Sequence, residues 1–115
     1  MTQEQFDSLA EKIGKVPKIF QDLEKINPEL FKSVMGLDQL VWDDGCLTRK
    51  EKKLIAVAIA AALRDPHAVR AQIAGAPHLG ISLAEIEEAL RVTFLLSGMP
   101  AYVYGRTAAE EIYSK

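Results

Sequence analysis

Thr48-Arg49-Lys50-Glu51-Lys52-Lys53-Leu54-Ile55-Ala56-Val57-Ala58-Ile59-Ala60-Ala61-Ala62-Leu63 is the stretch whose reading decides the fold. Thr48 and Glu51 stand in the spacing in which each side chain reaches the other's free backbone N–H, so a helix starts here. Its first turns are wholly charged, and from Leu54 to Leu63 it is apolar on every side. Such a helix has no face to offer water and must be walled in by protein. In a short chain few helices can be enclosed by their own sequence, so either neighbouring subunits cover part of this one or it is the central helix of a monomer, and its alanines let other helices come close. As a membrane span it is too short: ten residues rise about 15 Å, roughly half a bilayer core.

The same start signals recur on either side. Thr2 with Gln5 and Ser82 with Glu85 repeat the reciprocal cap. Asn27-Pro28 and Asp65-Pro66 put a capping side chain before a proline suited to the first helical position. Pro17 and Pro100 suggest two more starts, and Pro77 should end the helix before it. These signals predict helices near 2–13, 17–26, 28–43, 48–64, 66–76, 82–97 and 100–114. Leu83, Ile86, Leu90 and Phe94 form one apolar stripe at helical spacing. No segment alternates apolar and polar residues between hairpin turns, so the fold class is all-α. There is no internal repeat, low-complexity tract or linker.

Composition narrows the functional classes. A chain of 115 residues with 49% hydrophobic and 26% charged residues and a formal charge of -2 lies in the globular range. Scaling with mass gives about 6,200 Å² of folded surface against about 18,400 Å² extended, enough for one core, so residues 1–115 read as a single domain. A pI near 5.7, with basic residues interleaved among acids, argues against a nucleic-acid partner. One cysteine, Cys46, cannot form an internal disulfide, and the first residues lack the basic-then-apolar pattern of a secretory signal. A cytoplasmic, reducing location without membrane attachment is expected.

From Leu47 onward the elements follow a recognisable order: the capped alanine-rich helix, a short helix closed by Pro77-His78-Leu79-Gly80, the acidic segment Ser82 to Leu90, and the turn Ser97-Gly98-Met99-Pro100-Ala101. Over about residues 28–110 this resembles the carboxymuconolactone decarboxylase and alkylhydroperoxidase D-like family. The resemblance implies a helical bundle of about six to seven helices that assembles into trimers or hexamers. The redox branch of that family carries a glutamate, eleven residues, Cys-x-x-Cys, three residues and a histidine. Laid on this chain through Leu63 and Gly80, those positions fall at Lys53, Asp65, Ala68 and Gln72, and all four are changed. A thiol peroxidase needs an attacking thiolate, a resolving thiol and a proton-moving group, so that chemistry is disfavoured.

The same register selects the candidate residues. His67 lies in the turn that would carry the active site and is the candidate proton-transfer residue, because imidazole is the side chain that changes charge near neutrality. A solvated surface histidine is nevertheless the commoner use of such a residue. Lys53 and Arg70 offer positive charge to an acidic ligand, Gln72 can orient a ligand but cannot exchange a proton, and Asp65 stands at a helix start. For each a plainer role competes: solvated charge for the two cations and helix capping for Asp65. Glu51 sits about 200° around the helix from position 53, and its cap with Thr48 explains it without function.

His67 and His78 would be about 16 Å apart even on one unbroken helix, and no cluster supplies three or four zinc ligands, so no metal and no cofactor is expected. Cys46 reads as a small buried apolar side chain. Trp42, Tyr102 and Tyr104, at helix ends, could be core, interface or pocket lining.

Three functions compete on these residues. The favoured one is a small-molecule-binding or non-catalytic oligomer that holds a ligand or partner on the family scaffold, with a small organic acid as the candidate ligand. The second is a cofactor-free decarboxylase or lactone-processing enzyme with His67 moving the proton and Lys53 or Arg70 holding a carboxylate. The third, a thiol peroxidase using Cys46, ranks last.

Overall fold

The computed structural model describes residues 1–13 and 18–114, with the main chain alone at 11–13. The described residues form α1 (Gln3–Ile13), α2 (Lys18–Ile26), α3 (Pro28–Trp42), α4 (Arg49–Ala62), α5 (Pro66–Gly75), a 3₁₀ turn at Pro77–Leu79, α6 (Leu83–Ser97) and α7 (Met99–Tyr113). Among them there is no strand. The expected start at Pro17 lies outside the described residues.

The predicted caps are made. Thr48 Oγ1 accepts from the Glu51 N–H at 3.1 Å while a Glu51 carboxylate oxygen accepts from the Thr48 N–H at 2.9 Å. Ser82 with Glu85 and Thr2 with Gln5 repeat the exchange. Asn27 Oδ1 caps α3 through the Leu30 N–H, and Asp65 Oδ1 caps α5 through the N–H groups of His67 and Ala68. Each satisfies donors that a helix start otherwise leaves unpaired. Pro77 ends α5 as expected, and Gly80, at φ 71°, turns the chain toward α6 in a left-handed conformation that glycine adopts without strain.

The four helices α4 to α7 surround the main core, in which Val57, Val69, Ile73, Ile86 and Leu90 are fully buried. Burying each side chain of this kind stabilises the fold by about 1.5–3 kcal/mol. α1 lies on α5, and α2 pairs with α3. A second small cluster of Leu9, Phe31 and Met35 is flanked by Phe20 and Leu23, and so links α1, α2 and α3.

α4 and α6 run side by side in the same direction, locked in register. Lys50 pairs with Glu85, the Thr93 hydroxyl donates to the Ala58 carbonyl at 3.1 Å, and the Ser97 hydroxyl donates to the Ala62 carbonyl at 3.2 Å, a constant offset of 35 residues. Arg64, itself at φ 58°, ends α4 and donates to the Ser97 carbonyl. The chain thus covers the Lys53, Val57, Ala60 and Ala61 face of α4 and leaves Ile55, Ile59 and Leu63 exposed. No helix of the described residues is long and apolar enough to cross a membrane.

Candidate functional site

Lys53 lies one turn into α4 on its inward face, in line with Val57 and Ala60, and is 0% exposed. A buried ammonium is costly unless its donors are met. Its Nζ donates to Gln72 Oε1 at 2.9 Å and sits 4.9 Å from the centre of the Trp42 ring. Gln72 is half-buried one turn before the end of α5, and Trp42 is the last residue of α3. Three elements therefore meet at one amine, which carries an amide oxygen on one side and an aromatic face, attractive to a cation, on another.

Trp42 is held in place by the charged first turn of α4. Lys52 Nζ donates to the carbonyls of Val41 and Asp43 at 2.7 and 2.5 Å, satisfying carbonyls at the end of α3 and complementing its dipole. The Arg49 guanidinium pairs with Asp43 at 3.2 Å, and the Arg49 N–H donates to Asp44 Oδ1 at 2.7 Å. Within the charge run, Arg49 and Lys52 thus tie the end of α3 to the start of α4 beside the Trp42–Lys53 contact, while Lys50 pairs with Glu85 and Glu51 caps with Thr48. Sequence alone left Trp42 open among core, interface and pocket. Nothing local marks the contact, since it depends on how the 43–48 turn folds back.

The other candidates lie elsewhere. Asp65 is exposed and spends one carboxylate oxygen on the start of α5. His67 is exposed in the first turn of α5. Arg70 is exposed and ion-paired with Glu111 of α7. Of the five residues singled out from the sequence, Lys53 and Gln72 are brought together, whereas Asp65, His67 and Arg70 face solvent. Among the described residues no group of three or more His, Cys, Asp and Glu is placed to hold a metal.

Cys46 corrects an expectation: it is exposed, not buried. The turn it occupies is closed by the Gly45 N–H donating to the Leu47 carbonyl at 2.9 Å, with the Cys46 side chain at the surface.

An open cavity of about 930 Å³ lies between α1, α3 and the start of α4, floored by Phe31 and Met35 and walled by Glu4, Asp7, Glu24 and Lys32. None of the five candidates lines it. A separate polar cluster joins α6 to α7, where Glu87 accepts from the Tyr102 hydroxyl at 2.7 Å, from Arg91 and from Arg106. The Tyr102 hydrogen bond, then the two guanidinium groups, hold the Glu87 carboxyl below its usual range against the opposing effect of burial.

The model of the carboxymuconolactone decarboxylase family matches residues 28–111. An uncharacterised protein of Methanocaldococcus jannaschii is 36% identical over 86 residues, covering 74% of this chain and 83% of that protein. The fold is shared with a carboxymuconolactone decarboxylase family protein from Legionella pneumophila, at a TM-score of 0.76 and 25% identity over 96% of this chain and 98% of that one. A provisionally named carboxymuconolactone decarboxylase from Burkholderia xenovorans LB400 has the same TM-score at 22% identity, over 97% and 90% of the two chains.

Proposed function

The chain belongs to the carboxymuconolactone decarboxylase family, and on that premise we propose that it is a non-catalytic oligomer that binds a small organic acid on the family scaffold without the redox motif. The observation that carries the reading is the Lys53–Gln72 hydrogen bond. In the register of the resemblance these two positions hold the glutamate and histidine of the redox branch, a pair able to pass a proton. Here they hold an ammonium and an amide. An amide cannot exchange a proton at neutral pH, and an ammonium offers donors and positive charge, so the pair is suited to binding a carboxylate.

With Asp65 and Ala68 at the two cysteine positions and a single cysteine in the chain, no dithiol is available. Arg70 is engaged with Glu111 and Asp65 with the start of α5, so the ligand-binding role contracts to Lys53 and Gln72, with the Trp42 ring beside the amine.

The test is a thermal-shift and calorimetric panel of small mono- and dicarboxylates against the wild type and Lys53→Met. Binding that vanishes in Lys53→Met supports the site. The same panel extended to lactones and oxoacids, with product analysis, addresses the enzymatic alternative. Turnover lost in His67→Ala would establish a decarboxylase or lactone-processing enzyme and reject the non-catalytic reading.

A further inference from the structure

We propose that the cavity between α1, α3 and the start of α4 binds a small zwitterion with an apolar body, namely a short apolar peptide. The site is separate from Lys53 and does not depend on the carboxylate reading above.

The cavity follows from how the first three helices are seated. α1 rests on α5 whereas α3 is paired with α2, so α1 and α3 do not pack closely on each other and about 930 Å³ stays open between them. That volume is near the upper end of the range usual for small-molecule sites. On α3, Phe31, Lys32, Met35, Gly36 and Gln39 recur at three- and four-residue spacing and share the face that lines it. Gly36 has no packing reason to be glycine. In the middle of a helix it costs about 1 kcal/mol against alanine, yet a Cβ there would meet no atom within 4 Å. What its missing side chain does is keep this wall of the cavity clear.

The charged groups are sorted by wall. Among the described residues that line the cavity, Glu4 and Asp7 stand one turn apart on α1 and Glu24 is on α2, whereas Lys32 is on α3 and Arg49 opens α4. Two of the five are already neutralised, Glu24 by the Met1 ammonium and Arg49 by Asp43. Asp7 accepts an uncharged hydrogen bond, from Gln3 Nε2 at 2.8 Å. Glu4 and Lys32 have no ion partner among the described residues, although they line the same space. Opposite charges that share a cavity without reaching each other leave room for a ligand that brings an ammonium to one wall and a carboxylate to the other. Between them the floor is apolar: Phe31 and Met35 are buried, and methionine adapts to irregular apolar groups. A peptide of apolar residues has this form, with a charge at each end and a reach of about 3.3–3.6 Å per residue. The family match begins at residue 28, so α1 and α2, which supply the acidic wall, lie outside it.

The test is isothermal titration calorimetry of the full chain with free leucine, dileucine and trileucine. At least one is expected to bind, and its N-acetylated and C-amidated forms are each expected to bind about two- to fivefold more weakly, since the groups that meet the two charges are exposed. Gly36→Leu places a side chain where nothing obstructs it and should melt no lower than the wild type, yet it should abolish binding. Glu4→Gln should weaken the free peptide but not its acetylated form, and Lys32→Met the free peptide but not its amide. Lys53→Met should leave all of them unchanged. Binding that survives in a folded Gly36→Leu, or capped peptides that bind as well as the free one, overturns the proposal. Loss of binding in Lys53→Met with Gly36→Leu unaffected also overturns it, by putting the peptide carboxylate at Lys53. A wild type that gives no heat with any of the three probes at millimolar concentration sinks this site and leaves the Lys53 reading standing.

Discussion

Lys53 Nζ and Gln72 Oε1, nineteen residues apart in sequence, meet at 2.9 Å between α4 and α5, and this hydrogen bond meets one donor of a fully buried amine. Taking away a partner of a buried charge costs more than taking away the charge itself. Gln72→Leu is therefore expected to destabilise the chain by about 1.5–3 kcal/mol, and Lys53→Met, which keeps the stem volume, by less. In the double variant the losses should fall short of additivity by at least about 0.5 kcal/mol. Urea denaturation of the four species gives the cycle, and strict additivity would show that the two side chains do not act together.

Acid stability follows from the caps. Glu51 and Glu85 both titrate below the ordinary 4.5: Glu51 through hydrogen bonds from the Thr48 N–H and hydroxyl, Glu85 through the Ser82 N–H and then Lys50. A carboxyl whose folded pKa is depressed adds stability above its unfolded value, and loses it as pH falls through the folded value. The wild type should weaken progressively below about pH 4.5. Glu51→Gln with Glu85→Gln keeps a capping side chain but removes the titration, so the gap in melting temperature between pH 7 and pH 3 should narrow. An unchanged gap would place the acid sensitivity elsewhere.

At alkaline pH the sensitive group is Tyr113. Its hydroxyl donates to the Ile81 carbonyl at 2.7 Å, and burial, then the nearby Glu85 charge, pushes its pKa up to about 12 from 10.0. The neutral phenol is favoured in the fold, so its contribution is complete below pH 10 and lost between about 10 and 12. Tyr102 is raised as well by its hydrogen bond to Glu87, so absorbance titration near 295 nm should show a late signal that shrinks by one tyrosine in Tyr113→Phe. A late signal of unchanged amplitude after the substitution would refute the assignment.

Gly105 lets α7 approach α6. A Cβ placed there would overlap Leu90 Cδ2 and stand 3.2 Å from Cδ1, and Leu90 is itself fully buried. Alanine would bring about 1 kcal/mol of helix propensity, against overpacking of about 1–3 kcal/mol. The expected outcome for Gly105→Ala is a net loss of stability in thermal or chemical melts. A gain would mean that the two helices part without cost.

Much of the fold is legible in the residues because its signals are local. Thr48 with Glu51, Ser82 with Glu85, Asn27-Pro28 and Asp65-Pro66 mark helix starts within four residues, and the described helices begin within a residue of those signals. The candidate site was only half legible. The family register drew attention to Lys53 and Gln72, which do meet, and equally to Asp65, His67 and Arg70, which lie at the solvent-facing surface. The difference is rotational: on α5, Gln72 turns toward α4 while His67 and Arg70 turn outward, and no local pattern says which neighbour lies on which side.

The sequence by itself determined that this chain is helical, where most of its helices start, and that α4 carries more apolar surface than a small chain can hide, since capping and periodicity act over one or two turns. Only the tertiary structure decided that Trp42 lies over Lys53, that Cys46 faces solvent, and that α4 and α6 lie parallel with Ile59 and Leu96 exposed. Those facts depend on how helices far apart in sequence cross, and burial is a property of the assembled neighbours, not of any residue alone.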